Sequence, residues 1–389
     1  MNNAGTQGSA TTAVVLPDGE AKPPSSIGDR FYSASQWQLM WWKFRKHKMA
    51  MTGAIVILIL YFIAVFCEFL APYPLETRYS EYSWAPPQRL HFIDAQGRFH
   101  LRPFVYALTE YSDPVTWRIT YSEDPTKMQP LYFLVRGDEY KLWGQFKGNL
   151  HLFGTKGEQE QVFLLGTDRL GRDLLSRVFY GARISLSIGL IGVLLSLVIG
   201  AVLGGVSGYY GGFIDTIVQR IIELLRSIPN IPLWMALSAA LPATMPPERS
   251  YFGITIILSI IGWTGLARVT RGKILSMREE DFVMAARIVG ASELRIIIRH
   301  LLPSFLSHLI VTVTLAIPGM VLGETALSFL GLGLRPPVTS WGVLLKEAQD
   351  VQVIAHQPWQ LIPAFFLIFT VLAFNFLGDG LRDAADPYG

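Results

Sequence analysis

Residues 281–303 read D-F-V-M-A-A-R-I-V-G-A-S-E-L-R-I-I-I-R-H-L-L-P, a soluble-looking stretch lodged between two long apolar runs. Asp281 to Val289 predicts a short helix, and Ala285 with Ala286 gives it a small-residue face. Gly290 follows, where a residue without Cβ takes a left-handed turn at little cost. Ser292 is an N-cap residue type for a second helix through Leu294, Ile297 and Leu301. Pro303 is expected to bound that helix, because the residue before a proline is pushed out of the α region. Lys273, Arg278, Arg287, Arg295 and Arg299 make the stretch and its N-terminal flank basic. A basic helix–turn–helix between two apolar spans is a loop at one membrane face, and the rest of the chain is read outward from it.

Composition agrees with a membrane setting. The 389 residues are 51% hydrophobic and only 16% charged, where soluble domains carry about 25% charged residues. Runs of roughly 18 or more apolar residues point to membrane spans. A formal charge of +3 without a basic-aromatic patch argues against nucleic acid as a partner. Cys67 is the one cysteine, so neither a disulfide framework nor a cysteine metal site is possible.

Residues 1–30, rich in Gly, Ala, Ser, Thr and Pro, read as a disordered tail and not as a cleaved signal peptide. Residues 31–71 read as a helix lying in the membrane surface, with Trp37, Met40, Trp41 and Phe44 at helical spacing among Lys43, Arg45, Lys46 and Lys48, followed by a first span over 49–66. Residues 72–165 change character and predict a small β-rich insert. Its expected strands are a hairpin of 90–94 and 98–102, then 131–136, 139–143 and 149–153. Residues 166–389 carry the remaining spans. An amphipathic helix is expected over 166–183, then spans at 184–206, 214–241, 250–267, 304–326 and 359–377. The segment 208–212 reads as a turn, and Pro229 and Pro232 are expected to kink the third span. Along the second span, Ser185, Gly189, Gly192, Ser196, Gly200 and Gly204 recur every three or four residues, a small-residue face for close helix packing in lipid.

Six spans place both termini on one side. Arg45, Lys46, Lys48, Arg268, Arg271, Lys273, Arg287, Arg295 and Arg299 all fall on that side, whereas the opposite short loops hold only Arg249, Arg335 and Lys346. The positive-inside rule makes both termini and the 281–303 loop cytoplasmic and the insert extracytoplasmic.

The skeleton Ala285-Ala286, Gly290 four residues later, and Leu302-Pro303 resembles the "EAA" coupling loop of membrane subunits of bacterial ABC importers. Met284 stands where that pattern has Glu, and His300 where Ile is common. With G-T-D-R-L-G-R-D at 166–173, L-S-F-L-G-L-G at 327–333 and P-P-V-T-S-W-G at 336–342, the chain resembles the second, C-type permease of dipeptide, oligopeptide and nickel importers over about 30–75 and 160–389. The resemblance implies an all-α membrane protein of the type I importer permease fold, six spanning helices and an extracytoplasmic insert, in the bacterial inner membrane. It also implies a peptide or a similar small molecule as the solute. It implies that Met284, Ala285, Ala286, Arg287, Gly290, Leu302 and Pro303 couple to an ATPase, and that Met284, lacking the charge, docks by shape. The implied partners are a second homologous permease, two ATP-binding subunits, an extracytoplasmic solute-binding protein and lipid.

No phosphate-binding G-x-x-x-x-G-K-[ST] occurs, so ATP and magnesium are expected on partner subunits, with no cofactor and no catalytic residue on this chain. Seven scattered histidines lack metal-ligand spacing. Glu324, an acid well inside the fifth span, is either a gate or a structural group bonded to the following loop. Two functions remain open: a channel-forming half opened by ATP binding elsewhere, and a proton-coupled secondary transporter using Glu324. The latter class usually shows repeat-related halves, which the sequence lacks.

Overall fold

The computed structural model describes residues 36–112, 114–115, 119–157, 160–242 and 244–385. The expected tail at 1–30 lies outside them. Helix α1 is Gln36–Lys46, with Trp37 and Trp41 exposed and Met40 and Phe44 buried against the end of the last helix. His47 breaks the chain, caps the Ala50 amide with its ring, and starts α2, Lys48–Val65. The short α3, Cys67–Leu70, leads to the strands.

The insert is more extensively paired than its sequence suggests. Strands β1 (His91–Ile93), β2 (Phe99–Ser112) and β3 (Ile119–Pro130) form one antiparallel sheet, and β4 (Tyr132–Leu142) and β5 (Phe146–Gly154) a second hairpin. Two corrections follow. The long β2–β3 hairpin was not expected, because Pro103, Pro125 and Pro130 disguise its strands; a register irregularity and strand ends accommodate them. The expected strands 131–136 and 139–143 are one strand, irregular between Arg136 and Tyr140.

The expected helix over 166–183 starts only at Leu174. Gly166 and Gly171 take φ of 76° and 68°, and Asp168 Oδ1 accepts the Leu170 and Arg172 amides at 2.7 and 3.0 Å. A short carboxylate side chain that captures local amides competes with the helix despite the amphipathic pattern. Asp173 then caps α4, Leu174–Tyr210, accepting the Ser176 amide. At 37 residues the helix is roughly 55 Å long, and it ends only at Gly211 (φ 66°), so the expected turn at 208–212 is narrower than predicted.

The expected third span is broken. It is α5, Gly212–Ser227, and α6, Asn230–Ala239, separated at Ile228-Pro229. Pro229 cannot donate the amide that would continue α5, whereas Pro232 sits in the first turn of α6, where no donor is needed. Among the described residues, five helices are long and apolar enough to cross a membrane: α2, α4, α7 (Pro247–Met277), α10 (Leu306–Phe329) and the segment Pro358–Ala385, whose main helix is α13, Ile362–Ala385. Between α7 and α10 lie α8, Asp281–Ile288, and α9 (293–304). Between α10 and α13 lie α11, Trp341–Glu347, and α12, Val351–His356.

Helices α4 and α7 run parallel. Tyr251 Oη donates to Ser187 Oγ near one end, Ser196 Oγ to the Ser259 carbonyl in the middle, and Gly208 abuts Arg271 near the other. The end carrying 281–303 is called the loop end, and the end carrying the strands the insert end. The core joins Leu186, Leu258, Val321, Trp341 and Phe374 from α4, α7, α10, α11 and α13.

Candidate functional site: the 281–303 loop and a buried polar cluster

At the loop end, α8 finishes in a Schellman motif. The Gly290 amide donates to the Arg287 carbonyl at 2.9 Å and the Ala291 amide to the Ala286 carbonyl at 3.0 Å. Gly290 has φ of 81°. The spacing of Ala286 and Gly290 is therefore geometric: they are the residues three before and one after the helix cap, and Ala286 and Ala291 pack together on the core below. Val283 is fully buried there among Tyr209, Ile274, Ile297 and Leu301.

The opposite face is apolar and uncovered. Ile288 and Val289 are 85% and 86% exposed, and Phe282, Met284 and Leu294 are exposed beside them. Ala285 is exposed too. A contiguous exposed apolar patch marks an interaction surface. Arg287 is not a free cation: its guanidinium lies 5.1 Å from the Tyr209 ring centre and donates to Tyr209 Oη at 3.3 Å. That contact ties α8 to the end of α4, and the sequence reading missed it because 78 residues separate the pair.

Leu302 and Pro303 do not bound α9. Glu293–Arg295 passes into π-helical Ile296–Leu301 and returns to α over Leu302–Ser304, with the Leu302 amide reaching back to Ile297. The wider π turn removes the clash between the proline ring and the preceding turn, so the chain breaks instead at Phe305 (φ −121°). Ser292 precedes α9 without a side-chain capping bond.

The small-residue face of α4 serves two helices. Gly189 sits against Ile317 and Val321 of α10, and Gly192 against Met320 and Ser259. Gly200 and Gly204 sit against α7 at Trp263, Leu266 and Ala267.

At the insert end, the stretches 166–173, 327–333 and 336–342 converge. Glu324 is fully buried; Ser328 and Ser340 donate to its Oε1 at 2.7 and 2.6 Å, and Ser185 to Oε2 at 3.2 Å. The same serines accept the Leu334, Val343 and Trp341 amides. Glu324 thus joins α4, α10 and α11 through these serines. Further along α4, Arg177, 1% exposed, holds Glu347 through two bonds of 2.7 and 2.8 Å and Asp168 through a third. Arg172 also reaches Asp168 at 2.7 Å. Burial pushes the Asp173 carboxyl up to about 7, against the pull of Ser176. Of the Arg177 partners, Glu347 lies outside the stretches that the sequence marks, because only folding places residue 347 beside 177.

The bonding of Glu324 makes a direct prediction. Glu324→Gln keeps an acceptor for Ser328 and Ser340 and is expected to retain uptake, whereas Glu324→Leu orphans buried hydroxyls at about 1–3 kcal/mol each and lowers thermal stability. Melting and uptake measured side by side check this; loss of uptake in Glu324→Gln at unchanged stability would instead make the proton essential.

Comparison with known proteins identifies the family of the chain. Residues 181–388 match the model for the binding-protein-dependent transport system inner membrane component, and residues 35–87 the N-terminal transmembrane domain of oligopeptide transport permease C. The oligopeptide transport system permease protein OppC of Haemophilus influenzae is 43% identical over 59% of this chain and 71% of its own length. The dipeptide transport system permease protein DppC of Bacillus subtilis is 37% identical over 57% and 68%. The glutathione transport system permease protein GsiD of Shigella flexneri is 33% identical over 90% of each chain. A solved inward-facing structure of the MetNI methionine ABC transporter matches over 53% of this chain and 95% of its own, at 19% identity and a TM-score of 0.43. The chain belongs to the binding-protein-dependent transport system inner membrane components, as a C-type permease subunit of an ABC importer of the oligopeptide and dipeptide type.

Proposed function

We propose that this chain forms one half of an inward pathway for di- or oligopeptides, beside a second homologous permease. Two ATP-binding subunits, which hold ATP and magnesium, drive it, and an extracytoplasmic binding protein delivers the solute. The chain itself catalyses nothing. Relatives named for dipeptide, oligopeptide and glutathione transport support the solute class. One observation carries the coupling role: the 281–303 loop is seated on its own protein by Val283, Arg287 and Leu301 while its other face is apolar and bare. A rigid, uncovered apolar surface suits docking into a cleft of a partner, and Met284, Ala285, Ala286, Arg287, Gly290, Leu302 and Pro303 are its frame. Alternating access then follows when nucleotide shifts the populations of two arrangements. Co-purification with the ATP-binding subunits, and ATP-driven uptake of labelled peptides into proteoliposomes, test the reading; uptake without those subunits overturns it.

The proposed topology has six crossings, the third made by α5 and α6 together. Parallel α4 and α7 require a return across the full thickness, and the two helices total 26 residues (16 and 10), or about 39 Å. The loop end and both termini are cytoplasmic, and the strands lie outside the inner membrane. In intact cells, a cysteine at Glu139 is expected to react with an impermeant maleimide and one at Arg287 to react only after lysis; buried Cys67 is the background. Labelling of position 287 from outside overturns this arrangement.

A further inference from the structure

We infer that the tip of the β4–β5 hairpin is a membrane anchor, seated among the phospholipid headgroups beside the end of α2. Neither matched family region covers residues 88–180, where all five strands lie. The turn after β4 places Trp143 at φ of 53°, a conformation that bulky side chains resist. Two hydrogen bonds hold it there: its indole Nε1 donates to the Val65 carbonyl at 2.8 Å, and its amide to Glu68 Oε1 at 3.2 Å. Arg183 of α4 clamps the same carboxylate, so the tip is fastened to the last turn of the first span and not left to swing.

What the tip presents is apolar. Trp143 is 52% and Phe146 60% exposed, and the Trp143 ring centre lies 6.2 Å from that of Phe66. Phe66 in turn packs against Phe62, ring centres 4.9 Å apart and tilted by 46°. Phe62 belongs to the exposed face of α2 formed with Leu58, Ile59 and Val65, in a helix long and apolar enough to cross the bilayer. The patch is therefore continuous with a surface that lipid covers. Beneath Trp143, between α2 and α4, an apolar crevice of about 320 Å³ is lined by Tyr61, Val65, Leu186 and Leu190, a shape and chemistry for the end of an acyl chain. Tryptophan is enriched at this depth because its ring is apolar and its N–H polar.

Charge points to the same occupant. Lys141 and Lys147 face each other directly across β4 and β5. Like charges opposite one another in a sheet destabilise it unless an anion intervenes. Neither lysine has an ion-pair partner among the described residues. Lipid phosphates at the headgroup level supply the missing anion, and acidic lipids supply more of it.

The test uses the full transporter in nanodiscs with a nitroxide on a cysteine at Gln145, at the tip, and a control at Gln96, in the β1–β2 turn. Relaxation by oxygen and by a water-soluble nickel chelate is measured. The ratio of oxygen to nickel accessibility is expected to be higher at 145 than at 96, and to rise further when phosphatidylglycerol replaces part of the phosphatidylcholine. Lys141→Glu with Lys147→Glu is expected to abolish that rise. High nickel accessibility at 145 means the tip is in water, and low accessibility to both reagents means it is buried against protein; either overturns the proposal. An unchanged lipid-charge response in the double variant overturns the part played by the lysines.

Discussion

Gly200→Leu is expected to abolish recovery of the assembled transporter, while Ile199→Leu leaves it intact. A Cβ at position 200 would lie 2.7 Å from Leu266 Cβ and 3.0 Å from both the Ala267 nitrogen and the Trp263 carbonyl oxygen. Two of these three neighbours are backbone, which no rotamer change can move. The remaining three carbons of leucine would force α4 away from α7 along the face that also carries Gly204 and Gly208. Overpacking costs about 1–3 kcal/mol even where side chains give way, and here the many small dispersion contacts of a parallel helix pair are lost as well. Ile199 is 36% exposed on the other side of the helix, so an isomeric side chain there meets nothing rigid. Yield of the complex after solubilisation and uptake by reconstituted vesicles check this. Normal values for Gly200→Leu would show that α4 and α7 separate without consequence.

Gly290→Val is expected to insert normally yet fail to couple. Space is not the obstacle, since no atom lies within 4 Å of a Cβ built at 290. The obstacle is φ of 81°, which costs an L-residue about 1–2 kcal/mol and a β-branched one more. Relief requires breaking the Schellman pair of bonds, after which Val283 and the exposed Ile288 and Val289 no longer share a fixed frame. Gly290→Asn, which tolerates this conformation better, is expected to retain more activity. The readouts are co-purification of the ATP-binding subunits and ATP hydrolysis measured beside uptake. Full coupled uptake in Gly290→Val would remove the loop from the mechanism. Arg287→Glu is expected to act differently from a surface charge change, because it loses the Tyr209 contact that steadies α8.

Local chemistry was legible from the sequence wherever it follows from residue type and spacing. Apolar runs of sufficient length predict spans at α2, α4, α7, α10 and α13, because backbone in lipid must satisfy its own hydrogen bonds. A glycine after a short amphipathic helix predicts the positive φ of Gly290, and periodic small residues predict the flat face of α4. Where two local preferences compete, the sequence misleads. Residues 166–173 have an amphipathic pattern but fold around the Asp168 carboxylate, and α9 runs through Pro303 because a π turn makes room for it. Tertiary structure alone decided which distant groups meet. Glu324 is satisfied by serines at 185 and 340, Arg177 by Glu347, Arg287 by Tyr209 and Trp143 by the end of α2. Each is a pairing of polar groups far apart in the chain, from 16 to 170 residues. Its energy depends on a closest approach of about 3 Å, and no periodicity along the chain encodes that approach.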